Sequence, residues 1–66
     1  MNLKEARVKQ RYSKRAVAEL LGVTPPTYAR MESQPEEIRA KYIPKLAKLF
    51  GISIKDFFLA LDLNLI

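Results

Sequence analysis

The side chains that indicate a function most clearly in this chain are its arginines and lysines. Twelve of them stand against seven acidic residues and give a net charge of +5. The first fifteen residues contain one acidic residue, Glu5, and six cations, which are Lys4, Arg7, Lys9, Arg11, Lys14 and Arg15. A local excess of this kind favours polyanions, because neutralising phosphates releases their condensed counterions. The same charges are also consistent with a solvated surface that keeps a small domain in solution.

Catalytic and membrane functions are not indicated. The chain has no histidine and no cysteine, and we find no glycine-rich phosphate loop and no carboxylate pair in an evident pocket. We therefore expect no enzyme activity, no metal, no cofactor and no small-molecule ligand. The longest apolar stretch, Phe57 to Ile66, is too short to span a bilayer, and the charged N-terminus does not resemble a signal peptide. These features predict a soluble, cytoplasmic protein.

Helices must position the cations, because apolar residues recur at helical spacing along most of the chain. Five helices are predicted over residues 2–10, 14–21, 25–31, 41–50 and 54–60. Ser13, Thr24 and Ser53 are typical N-cap residues, and Gly22 and Gly51 are typical of helix ends. We expect one all-α domain over residues 1–66, with a helix-turn-helix in the second and third helices.

The inward faces of the first two helices follow from the same spacing. They are expected to comprise Leu3, Ala6 and Val8 in the first helix and Ala16, Val17, Leu20 and Leu21 in the second. Pro25 and Pro26 fit the first turn of the third helix, where backbone N–H groups have no intrahelical partner.

The C-terminal segment 59–66 permits more than one structure. Its leucines alternate strictly, which is the period of a strand. Such a strand could pair with its copy in a second subunit, or the segment could lie over the core. We expect the apolar residues near this end to exceed what one small core can cover, so we assign a dimer interface to Phe57, Phe58, Leu61, Leu63 and Leu65.

Several of these stretches together resemble the lambda repressor and Cro-like (XRE-type) helix-turn-helix family. Members show a Leu-Lys-x-Leu-Arg start, Leu-Ser-Gln, an alanine, Leu-Gly-Val-Ser, a glutamate that closes the third helix, and Leu-Ala-x-x-Leu-Gly-Val-Ser. The counterparts here are Leu3-Lys-Glu-Ala-Arg7, Tyr12-Ser-Lys14, Ala18, Leu21-Gly-Val-Thr24, Glu32 and Leu46-Ala-Lys-Leu-Phe-Gly-Ile-Ser53. The resemblance implies a five-helix lambda repressor-like domain whose third helix enters the DNA major groove.

By this resemblance, the residues that face base edges would be Pro25, Pro26, Thr27 and Arg30. Arg30 is the strongest candidate, because arginine can bind guanine O6 and N7 together for about 1–3 kcal/mol of discrimination. The alternative is that it touches only phosphate or solvent. The prolines depart from the long polar residues that the family often carries there, so specificity would depend on Arg30, Thr27 and DNA shape.

The resemblance also implies phosphate contacts on either side of the third helix. They are assigned to Arg11, Ser13, Lys14 and Arg15 before it and to Ser33, Arg39 and Lys41 after it. Arg7 and Glu32 match positions that form a salt bridge in some members, and Tyr28 matches a core position. The alternatives are solvated charges for Arg7 and Glu32, and base stacking for Tyr28.

Together these features predict a sequence-specific regulator of transcription, of the Cro-like phage or prophage repressor type, that binds double-stranded DNA as a homodimer. The operator would be pseudo-palindromic, because one helix-turn-helix contacts only a few base pairs. The alternative is a protein-interaction module, such as an antitoxin, that uses the apolar C-terminus and in which DNA binding is secondary.

Overall fold

The helices follow one another in the order that the sequence predicts. We describe a computed structural model, which defines the backbone of residues 2–60 and the side chains of residues 2–57. Within these residues there are five α-helices and no strand. The helices are α1 (Leu3–Lys9), α2 (Lys14–Leu21), α3 (Pro25–Ser33), α4 (Ile43–Leu49) and α5 (Ile54–Ala60), with 3-10 helices at Pro35–Glu37 and Ala40–Tyr42.

Hydroxyl side chains begin three of these helices, as predicted. Ser13, Thr24 and Ser53 each accept a hydrogen bond from the backbone N–H three residues further on, at 3.0, 3.4 and 3.0 Å. Each bond satisfies a donor that the first helical turn would otherwise leave without a partner. Asn2, which was predicted to lie inside the first helix, caps α1 in the same way at 2.8 Å.

A residue with left-handed backbone geometry ends three of the helices. It is Gly22 after α2 (φ 77°), Gly51 after α4 (φ 68°) and Arg11 after α1 (φ 62°). The residue that follows each of them donates its N–H to the carbonyl five positions earlier, at 3.0, 3.0 and 3.2 Å respectively. Both glycines were predicted to end their helices. Arg11 adopts the same geometry although its Cβ makes this geometry costly.

Two helix boundaries differ from the predicted ones by two residues, at the end of α3 and at the start of α4. The third helix continues past Met31 to Ser33, because the chain is forced out of helical geometry only at Gln34. Gln34 precedes Pro35, which disfavours the α conformation in the residue before it. The fourth helix was predicted from Lys41, but residues 40–42 form a 3-10 turn that leads into Ile43. Such turns are common at helix starts.

The core combines residues from all five α-helices. The largest fully buried side chains are Leu3, Val17, Tyr28, Leu46, Phe50 and Phe57. The C-terminal ends of α1 and α4 are also tied together, because Gln10 Nε2 donates to the carbonyl of Phe50 at 3.2 Å.

Phe57 corrects the predicted dimer interface. Its side chain is 0% exposed, so it cannot contribute to an exposed apolar surface. The physical reason is that α5 must bury one face in the core, and Phe57 provides that face while Ile54 stays 46% exposed. The side chains of the other assigned residues lie outside the described part of the chain; these are Phe58, Leu61, Leu63 and Leu65.

Two apolar residues that were predicted to face inward are exposed instead. Val8 is 54% exposed and Leu20 is 44% exposed. Successive residues of an α-helix are rotated by about 100°, so Val8 lies about 140° around α1 from the buried Leu3. The position about 40° from Leu3 belongs to Arg7, which is buried. Leu20 lies about 60° outside the buried arc of α2.

Candidate nucleic-acid interface

The exposed face of α3 carries all four residues that were predicted to read bases. Pro25, Pro26, Thr27 and Arg30 are each exposed. The opposite face of the helix is anchored by the buried Tyr28 and by Met31. The turn from α2 to α3 is anchored as well, because Val23 packs against the core. The helix therefore presents these four residues from a fixed support.

A groove of about 390 Å³ runs alongside this face. Thr27 and Arg30 form one side of it, and Glu37, Arg39 and Tyr42 come from the segment that follows α3. Arg39 was predicted to contact phosphate, so the structure brings a predicted phosphate residue next to the strongest base-reading candidate. Glu37 was not predicted to belong to the site.

The hydroxyl of Thr27 already has a partner in the free protein. It lies 2.8 Å from the hydroxyl of Thr24, and either of the two can be the donor. Thr27 can therefore offer a base its remaining hydrogen-bonding capacity or its methyl group. Arg30 forms no ion pair with a described side chain, so its guanidinium is open to a ligand.

A second depression, of about 290 Å³, unites residues that are distant in the sequence. Lys14 from the start of α2 and Ser33 from the end of α3 both line it, as do Asn2 and Lys4 from the start of α1. Lys14 and Ser33 were predicted to contact phosphate. Lys4 was missed, because it appeared only as one of the cations near the N-terminus and nothing in its local pattern places it beside α2.

The two serines assigned to phosphate binding differ in where their hydroxyl protons point. Ser13 Oγ accepts a hydrogen bond from its own helix, which leaves its proton available to a phosphate oxygen. Ser33 Oγ donates to the carbonyl of Arg30 at 3.2 Å. Ser33 must give up this bond before it can donate to a phosphate, so Ser13 is the better placed of the two.

The remaining predicted phosphate residues line neither depression. Arg11 is exposed at the left-handed position after α1. Arg15 pairs with Glu19 along the surface of α2 at 3.5 Å, and both side chains are highly exposed. The Lys41 ammonium lies 5.1 Å from the centre of the Tyr42 ring. Such exposed contacts are weak, and they leave these cations able to rearrange towards a polyanion.

A buried ion pair links α1 to the end of α3. Arg7 Nε donates to Glu32 Oε2 at 2.6 Å, and less than a tenth of either side chain is exposed. Arg7 Nη1 also donates to the carbonyl of Tyr12 at 2.8 Å. One arginine therefore connects α1, the turn that follows it and α3, and this connection fixes the orientation of the helix that carries the exposed face.

Tyr28 lies in the core, as predicted, and is not available for base stacking. Its phenol is close to this ion pair. Burial raises the pKa of its phenol well above the usual value, and the nearby Glu32 carboxylate raises it further. Its hydroxyl is buried and has no hydrogen-bond partner among the described residues.

The described residues lack two other kinds of site. None of their helices is long and apolar enough to cross a membrane. Their acidic side chains form no group that could hold a metal ion.

Comparison with known proteins agrees with the geometry of α2 and α3. The sequence model of the helix-turn-helix family matches residues 3–57, which is most of the chain. No curated protein and no solved structure matches it. The matched family consists of DNA-binding regulators of transcription and is not an enzyme family. The chain therefore belongs to the XRE-type helix-turn-helix family, which is the family of lambda repressor-like and Cro-like DNA-binding proteins.

Proposed function

We propose that this protein is a Cro-like repressor that binds a pseudo-palindromic operator as a homodimer, with α3 of each subunit in the major groove. The observation that carries the proposal is the groove beside α3. Arg30 faces it from the helix, and Arg39 faces it from the opposite wall. The arginine proposed to read a base thus lies beside the arginine proposed to bind phosphate, and sequence-specific binding combines contacts of these two kinds.

A depression on the other side of α3 that contains two lysines supports the same proposal. The depression lined by Lys4, Lys14 and Ser33 lies next to the start of α2, where backbone N–H groups also favour an anion. Phosphates bound on both sides of α3 would fix its depth and register in the groove.

Dimerisation follows from the limited reach of a single module. One helix-turn-helix contacts only a few base pairs, so two half-sites related by two-fold symmetry are needed for useful specificity. The bound dimer would repress transcription by excluding RNA polymerase from the promoter. We retain Phe58, Leu61, Leu63 and Leu65 as the proposed dimer interface.

The protein-interaction alternative has less support. It depends on a surplus of apolar residues near the C-terminus, and one of them, Phe57, belongs to the core. We therefore favour the DNA-binding regulator.

The test is selection of randomised duplex DNA by the purified protein and by Arg30→Ala. We expect the wild type to enrich a two-fold symmetric site, and Arg30→Ala to lose the preference at one position in each half-site. That loss should amount to about 1–3 kcal/mol, because bidentate binding to guanine is removed. Arg15→Ala is the matched control: it also removes one exposed arginine, but it should weaken binding to all sequences alike. Enrichment of no site by the wild type would contradict the proposal.

A further inference from the structure

The groove beside α3 contains one carboxylate among cationic neighbours. Glu37 lines it together with Arg30 and Arg39. A carboxylate on a surface that approaches DNA is repelled by every phosphate, so its presence there calls for a compensating contact.

The backbone holds Glu37 in place. Residues 35–37 form a 3-10 helix that starts with Pro35, and the N–H of Glu37 donates to the carbonyl of Gln34 at 2.9 Å. The next residue, Ile38, donates its N–H to the carbonyl of Pro35 at 3.1 Å and packs its side chain against the core. Glu37 therefore extends from a short, anchored turn.

The arginines of the groove do not neutralise Glu37. The ion pairs between described side chains are Arg7–Glu32 and Arg15–Glu19. Glu37 is exposed and keeps both carboxylate oxygens available as acceptors.

The major groove of DNA offers a carboxylate few compatible groups. It presents N–H donors only at the amino groups of cytosine and adenine. Adenine places its N7 acceptor next to its amino group, where it would repel a second carboxylate oxygen, whereas cytosine presents only the N4 donor. A carboxylate therefore fits cytosine best. A G·C-rich half-site can supply both this donor and the guanine acceptors that suit Arg30.

We propose that Glu37 is a second specificity-determining residue, which accepts a hydrogen bond from a cytosine N4 amino group next to the guanine that Arg30 contacts. This proposal rests on the proposed function, because it requires α3 to lie in the major groove.

The test repeats the selection with Glu37→Gln and Glu37→Ala. We expect the wild type to enrich a cytosine within or next to the pair that Arg30→Ala relaxes. Glu37→Ala should lose this preference, by roughly 5- to 150-fold in relative affinity. Glu37→Gln should shift the preference towards adenine, because an amide can bind adenine N6 and N7 together.

Glu36→Gln is the matched control. Glu36 lies in the same 3-10 helix and is exposed, but it does not line the groove. Its substitution removes the same charge and should leave base preference unchanged.

The possible outcomes separate the two proposals. Suppose that the wild type enriches a symmetric site and that the Glu37 variants bind every sequence more tightly but keep the same base preferences. This result would overturn the role of Glu37 alone. In that case the carboxylate only opposes phosphate. A wild type that enriches no site would overturn the proposed function as well.

Discussion

Tyr28 couples the stability of the protein to alkaline pH. Its phenol is buried and its pKa is raised, first by burial and then by Glu32. The unfolded chain would lose this proton near pH 10, the ordinary value for tyrosine, while the folded protein retains it. Because the unfolded state then binds fewer protons, the stability of the fold falls as pH rises above about 10.

We expect the free energy of unfolding to fall more steeply above pH 10 in the wild type than in Tyr28→Phe. The difference in slope should approach about 1.4 kcal/mol per pH unit. Urea denaturation at pH 8 and at several values above 10 measures it, and Tyr42→Phe is the matched control that should keep the steep loss. At pH 8 both the folded and the unfolded wild type keep the phenol proton, so the pH-dependent loss of stability is absent there and pH 8 serves as the reference. Parallel curves for wild type and Tyr28→Phe would contradict this account.

The buried pair of Arg7 and Glu32 should behave differently when one partner or both are removed. Glu32→Ala leaves a buried guanidinium without its carboxylate and should cost about 3–5 kcal/mol. A chain of this size is stabilised by only about 3–10 kcal/mol, so the single variant should lose a large fraction of its stability and melt at a clearly lower temperature. The double variant Arg7→Met, Glu32→Leu should lose clearly less, because no charge remains buried. Thermal denaturation followed by circular dichroism compares them, and a double variant as unstable as Glu32→Ala would refute the argument.

At the level of helices, α1 ends with a residue that is poorly suited to its position. Gly22 and Gly51 occupy the corresponding positions after α2 and α4, whereas α1 uses Arg11. A non-glycine residue in left-handed geometry costs about 1–2 kcal/mol. This position was also assigned to phosphate binding, so a cation there could compensate for the strain through function.

We expect Arg11→Gly to be about 1 kcal/mol more stable than Arg11→Ala. Both variants lose the cation, but only glycine relieves the backbone. If Arg11 contacts phosphate, both should bind DNA more weakly than the wild type and equally so. Urea denaturation and DNA titration at one salt concentration give the two readouts. Equal stability of the glycine and alanine variants would show that the position carries no strain.

The helices could be predicted largely because their ends depend on local chemistry. Ser13, Gly22, Gly51 and Ser53 act within a few residues of their own position, and the structure confirms each. The wrong predictions concern side chains whose burial depends on distant packing. Phe57 belongs to the buried core cluster. Val8 is displaced from the inward arc by Arg7, whose partner Glu32 lies 25 positions away in the sequence.

The candidate site could be predicted in part for the same reason. The exposed face of α3 follows from one helix and from a family resemblance that covers it. Lys4 and Glu37 line the two depressions because of how α1 and the segment after α3 pack. The local sequence around either residue does not predict this position. Bringing them into the site required the three-dimensional structure.

Across the whole molecule, the two depressions on either side of α3 predict which cations neutralise phosphates of the DNA. Lys4→Ala should reduce the slope of log Kobs against log salt by about 0.9, which is the loss of one phosphate contact on duplex DNA. Lys55→Ala removes the same charge from α5, lines neither depression, and should leave the slope unchanged. Fluorescence anisotropy with a labelled duplex from 50 to about 200 mM salt covers the useful range. An unchanged slope for Lys4→Ala would mean that the depression beside α2 holds no phosphate.

Pro25 and Pro26 have a consequence for how such a protein could change its target. Both are exposed in the first turn of α3, where neither has an N–H to lose, and the cap comes from Thr24. Exchanging either proline for another residue should cost only about 0.4–1 kcal/mol while placing a new side chain at the leading end of the helix. The residues that hold the fold and the residues that face the ligand are thus almost separate sets. A lineage, or an engineer, could therefore retarget this helix through many intermediates that all remain folded.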